Sequence, residues 1–274
     1  NDSFYFNISN QFYDLLIKSL HLNKLTNGAF DITVSPLVDL WGFGPRFKID
    51  TLPNPDTINT LLINIGSNNL IIDSLKIKKL NKFVHIDMSA IAKGAAVDLI
   101  RLYLNQHNID RFMVEVGGEI YVSGNNKNND KWKVGIRRPD LDDFNIETYI
   151  SISNISLATS GTYENYFNMN GYSYSHIINP NNGYPVKHEL VSATVLSDYA
   201  YMSDAIATAL IVMGHDKALE WTNSIDGVEC YLISKHLLGG IKQKLLKIFQ
   251  LISISIVKRT FNFIYKCAIA CCST

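Results

Sequence analysis

Apolar residues recur at helical spacing along residues 4–25, through Phe12, Leu15, Leu16, Leu20 and Leu22, and the pattern stops at Asn27-Gly28, a pair that ends helices because both residues tolerate positive φ. A short helix or turn follows at "SPLVDLW". Residues 50–62, opening with Pro53 and Pro55, read as a connection into a second helix. "NLIIDSLKIKKL" and "KFVHIDMS" read as strands with a turn between them, and "SAIAKGAAVDLIRLYLNQHN" is the clearest helix. Its apolar face is expected to comprise Ala90, Ile91, Ala95, Val97, Leu99, Ile100 and Leu104, with Ser89 as its cap. "FMVEVGGEIYVSG" and "KWKVGIRRP" read as strands of a hairpin joined by the polar "NNKNND" loop. "YISISNISLATSGTYENYF" continues the strands, "SYSHIINPNNGYPV" is rich in turns, and the strand "LVSATVLS" leads into a last helix. Helices and hairpins without regular βαβ alternation predict an α+β fold with a largely antiparallel sheet.

That last helix, "MSDAIATALIVMG" at residues 202–214, is apolar on nearly every face yet carries Asp204 and Thr208. Four residues is just over one helical turn, so the two side chains share a face and could share a ligand. A helix apolar all round is buried, and a buried ionised carboxylate is costly unless a cation or several donors compensate it. Taken alone, the stretch also admits purely local roles: Ser203 or Asp204 as the helix cap, and Thr208 bonded back to its own backbone.

Other stretches carry chemistry of similar ambiguity. "HIDMSAIAKGAAVD" sets His85, Asp87 and Lys93 around a strand-to-helix junction. Free N–H groups and a positive partial charge suit phosphate there, although Asp87 or Ser89 could simply cap the helix while Lys93 is solvated. Neither the P-loop nor the dinucleotide spacing of glycines is present. Gly117 and Gly118 in "EVGGEI" mark either a bend or a ligand contact. Thr159, Ser160 and Gly161 end a strand with hydroxyls and a permissive backbone, and His176 precedes a Pro/Gly/Asn-rich turn, an exposed position for a proton-transferring imidazole. No nucleophile elbow supports a Ser-His-Asp triad. A carboxylate, a hydroxyl and backbone carbonyls suit hard Mg²⁺ or Ca²⁺ better than zinc.

Charge narrows the partners. The 274 residues hold 25 basic and 25 acidic side chains, so nothing in the overall balance points to nucleic acid. Six of the basic residues, and no acidic one, fall in residues 241–274, leaving 19 against 25 before them, a net charge of −6. Cys267, Cys271 and Cys272 also lie there, and Cys230 alone precedes them. This spacing predicts neither a disulfide framework nor a metal-binding cysteine pair.

In register, "NGAFDITVSPLVDLWGFGP", "HIDMSAIAKGAAVD", "EVGGEIYVSG" with "WKVGIRRP", "ATSGTYENYF" with "YSHIINPNNGYPV", and "SDAIATALIVMG" resemble the ApbE family of FAD:protein FMN transferases. The resemblance covers about residues 20–234 and implies a single T-fold-like α+β domain over residues 1–234, with packed helices. It implies Mg²⁺-dependent cleavage of the FAD pyrophosphate, attachment of FMN to a Thr or Ser of a target flavoprotein through a phosphoester, and release of AMP. By the same resemblance, Asp204, Thr208 and the carbonyl of Ala90 match metal ligands; Ala29, Phe30, Asp31, Asp87, Lys93 and Ile177 match FAD contacts. His176 matches a histidine beside the transferred phosphoryl group. Family members carry an upstream segment with a Met-Gly-Thr stretch and a flavin-holding Tyr that this sequence does not contain.

Family acceptors carry an Asp-x-x-Ser/Thr-Gly-Ala-type motif; none occurs here, so self-modification is not expected. The resemblance implies a periplasmic location or the outer face of the cytoplasmic membrane. Residues 235–274, basic and Cys-ending, read either as a membrane-surface or acylated tail or as a degenerate stretch replacing the end of the domain. Two alternative readings share the same residues: a Mg²⁺-dependent FAD pyrophosphatase giving FMN and AMP, and an inactive flavin-binding remnant.

Overall fold

The strand "LVSATVLS" is buried at every position, as expected of a strand covered on both faces, and the rest of the fold is built around it. The computed structural model describes residues 4–44, 49–139, 145–236 and 240–245. In chain order the elements are β1 (Tyr5–Asn7), α1 (Asn10–Leu25), α2 (Ser35–Leu40), α3 (Pro55–Leu62), β2 (Leu70–Asp73), β3 (Lys76–Lys79), α4 (Ser89–Gln106), β4 (Phe112–Val116), β5 (Glu119–Ser123) and β6 (Trp132–Arg137). There follow β7 (Ile146–Ile152), β8 (Ile155–Gly161), β9 (Tyr166–Met169), β10 (Tyr172–Ser175), β11 (Leu190–Ser197), α5 (Ala200–Met213), α6 (His215–Ser224), β12 (Glu229–His236) and β13 (Gly240–Leu245).

The main sheet has six strands in the order β13-β12-β11-β8-β5-β4, every neighbouring pair antiparallel. On one face Ala193 and Val195 join Ala205, Ile206, Ala209 and Leu210 of α5 in the largest apolar cluster, which α1 and α6 complete. On the other, the β6–β7 ribbon supplies Val134, Ile136, Ile150 and Ile152 to a second cluster with Val122, Val191 and Ile233. Such an α+β arrangement, antiparallel throughout its named strand pairs, is the fold class the pattern predicts.

Several local expectations fail for identifiable reasons. Residues 82–88 form no strand: Asn81 accepts from the amide of Phe83, and the Lys79 ammonium donates to the carbonyl of Val84. Side chains thus take the backbone groups that a ladder would have used. The hairpin is not across "NNKNND" but across Gly117-Gly118, since β4 pairs with β5 and β6 pairs with β7. On α4 the expected apolar face is only partly buried: Ile91, Val97 and Leu104 are covered, whereas Leu99 and Ile100 are exposed. Ser89 does not cap α4; Asp87 accepts from the amide of Ser89 instead.

The helical spacing from residue 4 becomes a strand first, β1, with Ser9 capping α1 through the amide of Phe12. A hairpin that the pattern did not predict, β9–β10, follows β8, its second strand reaching into the turn-rich stretch before β11. Beyond residue 234, β13 pairs with β12, while residues 246–274, with their three cysteines, lie outside the described residues. Among the described residues no helix is long and apolar enough to cross a membrane.

Candidate functional site

Asp204 owes its position to the close crossing of α4 and α5. Gly94 sits where the helices meet, and a Cβ there would overlap the carbonyl of Ala200. Asp98, one turn further along α4, accepts from the first amides of α5, those of Ala200 (3.1 Å) and Tyr201 (2.9 Å). Neither Ser203 nor Asp204 caps α5. Ser203 bonds Ser156 and Ser197, and Asp204 is buried, its Oδ2 accepting from the amide of Gly94 at 3.0 Å.

Lys93 reaches this carboxylate from α4, with Nζ 3.7 Å from Oδ1, and donates to Oε1 of Glu119 at 2.8 Å. Burial raises the Asp204 pKa from its ordinary value against the pull of Lys93 and the Gly94 amide. Burial, with the Asp204 charge second, raises Glu119 to about 7. For Lys93, burial works downward, but Asp204 and Glu119 outweigh it and hold the ammonium above its usual value. Two carboxylates against one ammonium leave a buried negative charge in excess when both are ionised, a balance that a cation relieves.

One turn along α5, Thr208 turns its hydroxyl toward β8. Its Oγ1 lies 3.0 Å from Oγ of Ser160 and donates weakly, at 3.5 Å, to the carbonyl of Asp204. The register explains the contact: Ser160 stands opposite Ala193, which packs with α5, whereas Thr159 stands opposite Thr194 and the two hydroxyls bond each other at 2.8 Å. Asp204 and Thr208 line the same cleft as Ala90; the oxygens expected to bind a metal are a carboxylate, a hydroxyl and a backbone carbonyl, and the Asp204 carboxylate keeps lone pairs beyond those used by Gly94 and Lys93. That chemistry fits a hard divalent cation such as Mg²⁺. Among the described residues no three His, Cys, Asp or Glu side chains cluster as metal ligands.

The loop after α1 is held from inside. Asn23 donates to the carbonyl of Phe30 at 2.8 Å and to Oδ2 of Asp31 at 3.0 Å, while Oδ1 of Asp31 accepts the amide and hydroxyl of Thr33. Thr26 accepts from the amide of Phe30. Ala29, Phe30 and Asp31 are thereby fixed, and burial raises the Asp31 pKa against these hydrogen bonds.

His176 is half-buried, not exposed as its turn-rich surroundings suggest. Its Nδ1 lies 3.0 Å from the carbonyl of Asn165. A carbonyl only accepts, so Nδ1 carries the proton and Nε2 is left as an acceptor. Burial lowers the His176 pKa, outweighing the Asn165 bond and the Glu164 charge. Phe43 packs edge-on to the ring, and Trp41 ties the following turn to α2 by donating to the carbonyl of Gly183 at 2.8 Å.

These side chains converge on one cleft of about 270 Å³. Every candidate residue lines it except Gly117 and Gly118: Ala29, Phe30 and Asp31; Asp87, Ala90 and Lys93; Thr159, Ser160 and Gly161; His176 and Ile177; Asp204 and Thr208. His85 does not line it either. The glycine pair is a bend, with φ of +61° and +102° in the two-residue turn between β4 and β5, a geometry that favours glycine. Sequence reasoning overlooked Glu119, Asn23 and Asp98. Glu119 left a signal, because its place in β5 shares a face with inward-pointing Tyr121.

Comparison with known proteins gives a consistent picture. The model of the ApbE family matches residues 1–232. The chain is 38% identical over 214 residues to an FAD:protein FMN transferase of Vibrio cholerae, covering 78% of this chain and 64% of the relative. It is 39% identical over 218 residues to one of Haemophilus influenzae, covering 78% and 63%. The chain therefore spans less than two thirds of the length of these curated relatives. Among solved structures, the flavin transferase ApbE from Vibrio cholerae superposes with a TM-score of 0.81 at 33% identity, over 92% of this chain and 80% of that one. The apo flavinyl transferase ApbE of Pseudomonas stutzeri gives 0.80 at 28% identity, over 89% and 75%.

Proposed function

The chain belongs to the ApbE family, and on that premise we propose that it transfers FMN from FAD to a Thr or Ser hydroxyl of a target flavoprotein, forming a phosphoester and releasing AMP. The observation that carries this reading is the single cleft in which a buried carboxylate, two facing hydroxyls, a lysine at a helix N-terminus and a neutral histidine come together.

In this reading the Lys93 ammonium binds pyrophosphate oxygens, since a full positive charge beside the positive end of the α4 dipole favours an anion there. The Asn23-braced loop at Ala29–Phe30–Asp31 holds the flavin nucleotide from the opposite side. Asp204, Thr208 and the Ala90 carbonyl would hold Mg²⁺, which neutralises charge developing on the pyrophosphate when bound. His176, with Nδ1 donating to Asn165, presents a basic Nε2 to the acceptor hydroxyl. The hydroxyl oxygen bonds to the phosphorus of the FMN half, the bond to the AMP phosphate breaks, and the proton passes to Nε2.

The test is incubation of the purified chain with FAD, Mg²⁺ and a flavoprotein fragment bearing the acceptor Thr, read by mass spectrometry. FMN on the fragment, lost in Asp204→Ala, is the expected result. Free FMN instead points to pyrophosphatase activity, and unchanged turnover in Asp204→Ala overturns the metal assignment. By family resemblance we propose that this chemistry takes place in the periplasm or on the outer face of the cytoplasmic membrane, with membrane contact through the basic tail of residues 235–274 as part of the same proposal; fractionation of cells expressing the chain tests both.

A further inference from the structure

The Gly117-Gly118 turn does not line the cleft, yet it touches a residue that does. A Cβ at Gly117 would stand 3.0 Å from Cδ of Lys93 and 3.7 Å from Oε2 of Glu119. Glu119, the first residue of β5, is 2% exposed. Its Oε1 grips the Lys93 ammonium, and its Oε2 is buried with no hydrogen-bond partner among the described residues. Lys93 itself is 45% exposed.

A half-exposed lysine with four rotatable bonds ordinarily spreads over many rotamers, and holding it in one costs entropy. Here a bare glycine backbone lets the stem lie flat and a buried carboxylate fixes its end. Burying a carboxylate is expensive, and an apolar residue at an inward strand position would stabilise the sheet more cheaply. Packing of β5 therefore does not account for Glu119, whereas the fixed position of the ammonium does.

We propose that the Gly117–Gly118–Glu119 corner is a positioning device for Lys93, holding its ammonium over the cleft for a phosphate-bearing ligand. The ligand's identity as a flavin nucleotide rests on the function proposed above; the positioning itself does not.

Two measurements separate these parts. In metal-free buffer, acylation of lysines by N-acetoxysuccinimide, followed by peptide mass spectrometry, reads the freedom of each ammonium without any ligand. Lys93 is expected to label several-fold faster in Glu119→Gln and in Gly117→Ala than in the parent, with Lys24 unchanged as a control. Equal Lys93 labelling in parent and variants overturns the proposal. Glu119→Gln is nearly isosteric; should it melt early, Gly117→Ala carries this arm.

The second measurement is the affinity for FAD by fluorescence titration in a double-mutant cycle. Glu119→Gln is expected to weaken binding about tenfold, as for loss of one charge-assisted contact, but to cost nothing further in a Lys93→Met background. Equal losses in both backgrounds mean that Glu119 is merely structural and overturn the proposal. A parent chain that binds no FAD defeats the flavin reading, and the labelling result then decides the positioning role alone.

Discussion

The backbone amide of Gly94 donates to the carboxylate of Asp204 across 3.0 Å, joining two residues 110 positions apart through the closest point of the α4–α5 crossing. The contact exists because Gly94 has no side chain: any Cβ would overlap the Ala200 carbonyl. The placement of the buried carboxylate and the packing of the two helices are thus one feature.

Gly94→Ala tests that coupling. Alanine is the better helix former by about 1 kcal/mol, so propensity alone predicts a more stable protein. Overpacking against backbone that cannot yield costs about 1–3 kcal/mol and is expected to win. Urea denaturation is expected to show a net loss of stability, and FAD turnover to fall further than stability does because Asp204 is displaced.

His176→Asn keeps a donor toward Asn165 and removes the basic Nε2. Binding of FAD is expected to survive, while FMN transfer drops by about 10²–10⁴, the usual contribution of a positioned proton acceptor. Burial lowers the His176 pKa, so the neutral, basic form persists at neutral pH. In the parent, kcat/KM is expected to fall on the acid side, with its limb below the ordinary imidazole value of about 6.5. An acid limb at or above that value contradicts the assignment.

Asn23→Ala probes the loop that the Ala29–Phe30–Asp31 segment belongs to. Asn23 is buried and serves both Phe30 and Asp31. Its loss leaves a carbonyl and a carboxylate oxygen short of a donor, at a cost of about 1–3 kcal/mol. Thermal unfolding is expected to show that loss, and fluorescence titration a weaker affinity for FAD; an unchanged affinity would show that the loop keeps its shape without Asn23.

How much of this was legible in the sequence depends on how far apart the partners lie. The pairing of Asp204 with Thr208 follows from helical periodicity, and β11 from its unbroken apolar run, because both signals are local. Asp98 capping a helix that starts 102 residues later is not local, so the cap was sought in Ser203 and Asp204. The true pairing of β6 was not a matter of distance: β7 starts at Ile146, nine residues after Arg137, as near in sequence as β5 is on the other side, and local pattern does not choose between the two neighbours. The backbone freedom of Gly117-Gly118 is legible in the sequence, but Lys93, which needs that freedom, is 24 residues upstream.

The last prediction concerns pH. Glu119 is raised from an ordinary 4.5 to about 7, burial first and the Asp204 charge second. Between those values the folded protein holds a proton that the unfolded chain has released, so stability falls as pH rises through the window. At 1.36 kcal/mol per unit, the shift is worth about 3 kcal/mol, present below pH 4.5 and lost above 7. The raised pKa of Lys93 does not oppose this, since its contribution stays fully present until pH exceeds the lysine range. Burial raises Asp204 as well, which adds a loss of the same sign. The lowered pKa values of His176 and His188 act with the opposite sign in parent and variant alike, so in metal-free buffer the parent is expected to lose stability relative to Glu119→Gln between pH 4.5 and 7, measured as denaturation midpoints at a series of pH values. Added Mg²⁺ is expected to flatten the parent's slope, because a cation compensates the charge that burial penalises. A parent and variant with parallel pH profiles would show that Glu119 is ionised in both folded and unfolded states, leaving its burial without electrostatic cost.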